Sequence, residues 1–180
     1  DVEMGQQRKP SYLGYLMEKE LLALRRARDE ADIVFLGGAK IADKLPVVQA
    51  IANSAVKAGR PLIIPVGGGP ANTIHKIRGL EIGKSLVDDD PKVIDAVKAL
   101  MAMKEQGVTL VEPVDFRVLT AGNKVAVRKA REVLPTDSIR DIGPESETLF
   151  AGYAAKAKFG VWNGTMGQSD NKAYPDFAKG

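Results

Sequence analysis

An apolar run, Ile-Val-Phe-Leu at 33–36, stops abruptly on Gly37 and Gly38. A half-exposed strand would alternate polar and apolar side chains; this run does not, so it reads as a strand buried on both faces, as in a parallel sheet. Comparable runs begin at Leu62, Val108 and Phe159, and the third carries a tail through Pro113 to Phe116. Pro65 sits awkwardly in the second, because proline cannot donate to a sheet ladder, but near a strand end it is tolerable. Helical patterns fill the gaps: 46–58, stopped by Gly59 and Pro61; 71–77; 91–106, closed by Gly107; and 147–158, opened by Gly143-Pro-Glu-Ser. Strand and helix in this rhythm predict an α/β fold, a three-layer, Rossmann-like open parallel sheet with helices on both faces and right-handed crossovers.

Other segments are simpler to place. Residues 1–12 are polar and read as a linker, and an amphipathic helix follows from Tyr15 to about Glu30, with Leu21 and Leu24 on a stripe that needs a partner surface. Asp90 and Pro91 look like an N-cap and first helical residue; a divalent-metal role for Asp88, Asp89 and Asp90 is the sharper but weaker reading. Residues 117–140 suggest a short irregular hairpin.

The 180 residues suit one domain able to bury a real core. With no cysteine there are no disulfides, zinc thiolates or cysteine nucleophiles, in keeping with a reducing cytoplasm. The net charge is +3, with 26 basic residues interleaved among 23 acidic ones, which does not indicate nucleic-acid binding. No apolar stretch approaches the ~20 residues that cross a bilayer, and no signal peptide is evident at the N-terminus. The absence of an initiator methionine and the stop at Gly180 suggest a fragment cut at both ends.

Glycine-rich turns follow three of the strand runs, at 37–38, 67–69 and 164–167. In an open α/β sheet ligands bind at the carboxyl ends of the strands, where helix N-termini aim free N–H groups and glycines let backbone approach closely. A phosphate-bearing ligand is therefore expected. A helix beginning near Ala39 would carry Lys40 and Lys44 four residues apart at its positive end, a conflict that an anion relieves; the plainer alternative is that Asp43 screens them and both amines point into water. The lysines are candidate charge stabilisers for a transferring phosphoryl group.

Other chemistries fit less well. Gly67-x-Gly69-x-x-Asn72 lacks the third glycine of a dinucleotide motif, and the run around Gly79, Gly83 and Lys84 is one residue short of a P-loop and follows a helix, so it reads as a loop. His75, the sole histidine, has no serine or acid at a diagnostic spacing. Trp162 reads as core.

These motifs, in this order, resemble the C-terminal, nucleotide-binding domain of phosphoglycerate kinase. The matching segments are Gly-Tyr-Leu-Met-Glu-Lys-Glu-Leu at 14–21, Leu-Gly-Gly-Ala-Lys-Ile-Ala-Asp-Lys at 36–44, Gly-Gly-Gly-Pro-Ala-Asn-Thr at 67–73, Glu-Ile-Gly-Lys-Ser-Leu at 81–86, Pro-Val-Asp-Phe at 113–116, Asp-Ile-Gly-Pro-Glu-Ser at 141–146 and Val-Trp-Asn-Gly-Thr-Met-Gly at 161–167. The resemblance implies a linker and interdomain helix at 1–30 and a nucleotide-binding domain at 31–180 that lacks its last two strands. It implies reversible phosphoryl transfer, in glycolysis, from 1,3-bisphosphoglycerate to ADP, giving 3-phosphoglycerate and ATP, with Mg2+ carried on the nucleotide. Lys40 and Lys44 would contact the transferring group and the nucleotide phosphates. Gly38, Ala39, Gly68 and Gly69 would line the adenine side together with Asn163, Gly164, Thr165 and Gly167, and Asp170 would stand where a ribose-binding glutamate is usual.

The full-length protein would be a cytoplasmic monomer that binds ADP or ATP here and 3-phosphoglycerate through an N-terminal domain absent from this sequence, as is the aspartate that usually holds magnesium. The isolated chain would then be inactive as a kinase. Several residues depart from the family pattern. Pro70 replaces a methionine, Thr165 a proline, Gln168-Ser-Asp the usual Val-Phe-Glu, and Arg140 an apolar residue beside the adenine. These departures leave open a rival reading, a non-enzymatic nucleotide-binding or protein-interaction module descended from that domain.

Overall fold

A computed structural model describes residues 15–169, 173, 174 and 177. The linker reading of 1–12 and the ribose role for Asp170 lie outside those residues. In chain order the elements are α1 (Tyr15–Glu30), β1 (Ile33–Leu36), α2 (Leu45–Lys57), β2 (Leu62–Pro65), α3 (Gly68–Ile77), α4 (Pro91–Ala102), β3 (Val108–Val111), β4 (Asp115–Leu119), β5 (Val125–Lys129), β6 (Ser138–Ile142), α5 (Pro144–Ala154) and β7 (Gly160–Asn163).

The expected parallel sheet is present, with strand order β3-β2-β1-β7. Its inner strands are buried on both faces, as unalternating apolar runs require. On one side Val34, Leu36, Leu62 and Ile64 pack with Val48, Ile51 and Ala55 of α2 and Val93, Val97 and Leu100 of α4. On the other Ile33, Phe35 and Val111 meet Phe150 of α5. Pro65 leaves its mark: β1 and β2 pair at Ile33 with Ile63 and again at Leu36 with Val66, and the gap falls where proline has no N–H. Asp90 caps α4, its Oδ1 accepting from the Lys92 N–H at 2.9 Å.

Two expectations need correction. The tail after β3 does not extend the parallel strand: with the expected hairpin, present as β4 and β5, and with β6 it forms a second, three-stranded antiparallel sheet, β5-β4-β6, with its own core of Ile82, Phe116, Val118, Val133 and Ile139. Pro113 ends the parallel ladder, and Asp115 to Leu119 pairs in full register with Lys129 to Val125. Trp162 is 59% exposed rather than core, because β7 is an edge strand; its ring stacks on Phe35 with centroids 4.5 Å apart. Along α1, Ala27 packs inward while Leu21, Leu22 and Leu24 stay exposed, so the stripe has no cover among the described residues. No helix among them is long and apolar enough to cross a membrane.

Buried polar contacts join the two sheets. The N-cap residue of α5, Gly143, offers no side chain, and Asp115 of β4 takes over: its carboxylate accepts from the Ser146 N–H at 2.8 Å, the Ser146 hydroxyl at 2.6 Å and the Glu145 N–H at 3.1 Å. Asp115→Ala should therefore cost about 3 kcal/mol in urea unfolding, since of the three donors it strands the Ser146 and Glu145 N–H groups, the Ser146 hydroxyl keeping its bond to Asp115 O; a change below about 1 kcal/mol would show that water replaces the carboxylate.

Candidate functional site

The turns after β1, β2 and β7 meet at the carboxyl end of the parallel sheet, and backbone hydrogen bonds sew them together. Gly37 N–H donates to Asn163 O at 3.1 Å, Gly38 N–H to Thr165 O at 2.7 Å, Gly67 N–H to Leu36 O, Gly68 N–H to Met166 O and Gly69 N–H to Gly38 O, the last three at 2.9 Å. Such contact leaves no room for side chains. A Cβ on Gly68, whose φ is +54°, would stand 2.7 Å from the Gly38 carbonyl oxygen.

This seam changes the reading of the α3 N-terminus. The amides of Gly68 and Gly69 are spent on neighbouring turns, Ala71 N–H bonds to Gly67 O, and Pro70 has none. The first turn of α3 is therefore a flat backbone wall rather than the cluster of free N–H donors that anchors phosphate at other helix starts. A planar ring can lie against it.

The seam forms one side of a cavity of about 550 Å³. Gly38, Ala39, Gly68, Gly69, Thr165 and Gly167 line it, joined by Asn72, Leu86, Ile139, Arg140, Gln168 and Ser169. Asn163 and Gly164 sit behind this wall, Asn163 paired with Leu36 in the sheet. Ile139 and Arg140 reach the cavity from β6, a strand not foreseen, so nothing in the local pattern pointed to Ile139. Asn72 belongs to the quoted Ala-Asn-Thr motif; its Nδ2 donates to Leu86 O at 2.8 Å, and its Oδ1 is buried without a partner.

The lysines are not on a helix together. Pro46 can occupy only a first helical turn, and the chain from Gly38 must face the seam, so α2 begins at Leu45 with Lys44 as its N-cap residue. The supposed clash of two amines with a helix dipole disappears. Lys44 is half-buried and its Nζ donates to Gly37 O at 2.9 Å, between the first and third turns; Lys40 is exposed. Neither makes an ion pair among the described residues, so Asp43 does not clamp them.

His75 lies far from this wall, 2% exposed on α3, with its ring edge-on to Phe116 at 5.2 Å and its Nε2 3.7 Å from a Glu112 carboxylate oxygen. Fold topology brings that acid close, where sequence spacing gave no hint. Arg78 holds the Glu112 carboxylate with bonds of 2.8 and 2.9 Å from its Nε. The run around Gly83 is a loop strapped to the second sheet, Lys84 N–H to Asp137 O at 2.7 Å and Ile139 N–H to Ser85 Oγ at 2.7 Å.

A family model described as phosphoglycerate kinase matches residues 2–180. The chain belongs to the phosphoglycerate kinase family. It is 38% identical over 177 residues to a phosphoglycerate kinase of Thermomicrobium roseum, covering 95% of this chain and 43% of that protein. It is 39% identical over 185 residues to one of Streptomyces coelicolor, covering 96% and 43%. The phosphoglycerate kinase structure from Coxiella burnetii superposes with a TM-score of 0.73 at 30% identity, covering 92% of this chain and 42% of that one. That from Pyrococcus horikoshii OT3 gives 0.63 at 26% identity, covering 94% and 43%. The chain thus spans less than half the length of the phosphoglycerate kinases it matches.

Two measurements follow from the geometry. Burial, aided by the Arg78 guanidinium and opposed by Glu112, pushes the His75 pKa below its usual 6.5. The unfolded chain then binds the proton more readily, so this residue's contribution is complete above about pH 6.5 and is lost as pH falls toward the lower, folded-state pKa. His75→Leu should flatten the decline in melting temperature between about pH 7.5 and 5.5; an unaltered slope would assign that decline to other groups. Lys44→Ala should lower stability by about 1 kcal/mol in urea unfolding, through loss of the bond to Gly37, and unchanged or increased stability would show that this bond adds nothing net to the fold.

Proposed function

We propose that this chain is the C-terminal, nucleotide-binding domain of a phosphoglycerate kinase, and that the cavity behind the glycine seam holds the adenine ring of ADP or ATP. The seam itself carries this reading. Three turns from three parallel strands are drawn together by backbone bonds into a thin wall, and a wall of bare backbone suits the face of a planar base. Phosphates would run toward Lys40 and Lys44, outside the base cavity, where an exposed and a half-buried amine could stabilise charge on a migrating phosphoryl group. In the full-length protein the reaction would pass a phosphoryl group between 1,3-bisphosphoglycerate and ADP, the phosphoglycerate being held by parts beyond this chain.

Magnesium enters this scheme only as part of the nucleotide substrate.

Calorimetry with Mg-ADP and with adenosine tests the assignment. Both should bind, and Lys40→Ala should weaken ADP by about fivefold, near 1 kcal/mol, while leaving adenosine unchanged. Equal weakening of both would move Lys40 to the base, and binding of neither would dismiss the cavity as a nucleotide site.

A further inference from the structure

The second sheet has one covered edge and one open one. Beyond β6 the loop at Gly83 bridges to Ser138, and Lys84 N–H donates to Asp137 O, so that edge is closed. Beyond β5 no strand pairs among the described residues. The β4–β5 ladder runs without a register shift, and bonds of 2.9 Å from Thr120 N–H to Lys124 O and from Ala130 N–H to Val114 O continue it at both ends. Antiparallel alternation then turns the backbone groups of Ala126 and Arg128 toward β4, and those of Val125 and Val127, with the Lys129 N–H, toward solvent. Side chains follow the same period. Ala126 packs on the core of this sheet, while Val125, Val127 and Lys129 share the exposed outer face.

Charge selects what can pair there. Along this stretch Arg128 is bonded to Asp137 and Lys129 to Glu145, whereas Lys124 and Arg131, at the two ends, have no acidic partner among the described residues. Lysines on an edge discourage indiscriminate pairing, and these cations discriminate between partners. Two copies of the chain paired antiparallel about Val127 would set Lys124 of one opposite Ala130 of the other, beside Lys129 and Arg131, so like charges would crowd both ends. A strand with an acid near each end meets a cation at each instead. In an extended chain at about 3.3 Å per residue, Lys124 and Arg131 stand roughly 23 Å apart. At the Arg131 end the edge reaches a cavity of about 530 Å³, lined in part by Leu80, Pro113, Val114 and Ala130, with room for an apolar side chain. We infer that β5 is a docking edge for an extended acidic segment of a partner protein. That segment adds to the sheet as a fourth strand, its backbone bonded to Val125, Val127 and Lys129, its apolar side chains over the two valines and its acids on Lys124 and Arg131.

NMR amide exchange and fluorescence anisotropy on the 180-residue chain test this. The probe is a synthetic peptide of about eight residues, alternating valine and threonine between terminal glutamates, with a counterpart ending in lysines. The acidic peptide should slow exchange of the Val125, Val127 and Lys129 amides and leave those of Ala126 and Arg128, already bonded to β4, unchanged. It should bind roughly tenfold tighter than the lysine peptide, since two exposed ion pairs become two repulsions. Lys124→Glu combined with Arg131→Glu should invert that preference. Val127→Pro removes an outward N–H without touching the β4 ladder, so it should abolish binding while the protein stays folded; if it does not fold, the charge inversion decides alone. Absence of saturable binding by the acidic peptide, a preference that survives the charge inversion, or slowed exchange confined to other elements overturns the inference. Equal binding of a single-stranded oligonucleotide also overturns it, because the face would then attract any polyanion.

Discussion

The backbone seam joining the turns after β1, β2 and β7 is the constraint on which the site depends. Each turn needs the others: Gly38 both donates to Thr165 O and accepts from Gly69 N–H, so it links the first turn to the second and to the third. Bonds of this kind stabilise by roughly 0.5–1.5 kcal/mol each when formed, but a buried N–H left without its carbonyl costs more. The seam is thus cooperative. A side chain at Gly68 would push on Gly38 and thereby on Thr165, and the wall would open at several points. This explains why glycines cluster at these strand ends more tightly than strand termination alone requires.

The second sheet matters because it supplies the opposite side of the cavity. Its position relative to the seam is held by charge. Arg117 of β4 is mostly buried and bonds to Ile142 O at 2.7 Å and to the Glu147 carboxylate, with Asp141 at 3.6 Å. Asp141 in turn lies where any side chain on Gly167 would have to go. Two carboxylates around one guanidinium keep the β4–β6 pair seated on α5, while the close approach of Asp141 to Gly167 fixes how near the third turn can come to β6. A buried ion pair adds little stability over an apolar replacement, but breaking one partner is expensive, and that asymmetry suits a role in registering two elements.

The parallel sheet could be read from the sequence because burial on both faces writes an unalternating apolar run, as at 33–36, and glycines end it visibly. The second sheet could be read only in part, as a hairpin. β5 carries Val125 and Val127 outward, 36% and 51% exposed, and β6 interrupts its apolar residues with Arg140 and Asp141, so neither strand shows a clean period. Trp162 misled for a related reason, since an edge position leaves no trace in a strand's own residues. The lysines misled because spacing was counted across a helix start that Pro46 forbids. Asn72 and Leu86, by contrast, lay inside motifs already quoted, and only their convergence on the cavity needed coordinates.

The departures from the family pattern are locally accommodated, which bears on whether the pocket is merely eroded. Pro70 falls in the first turn of α3, where its missing N–H would have had no helical partner. Thr165 holds its turn with a bond from its Oγ1 to Gly167 O at 2.9 Å. Arg140 and Gln168 satisfy each other. A pocket drifting without selection would be expected to loosen its glycines, whereas a Cβ at any of Gly37, Gly38, Gly67, Gly68 or Gly69 would still meet backbone or side-chain atoms closely. Among the described residues Arg140 Nε and Asn72 Oδ1, of residues that line the cavity, are buried without a partner, and so are Arg60 Nε, both His75 ring nitrogens and Asp137 Oδ1 elsewhere. Unsatisfied polarity is thus spread through the fold, and it is the close packing kept by the glycine turns that argues against a decaying wall.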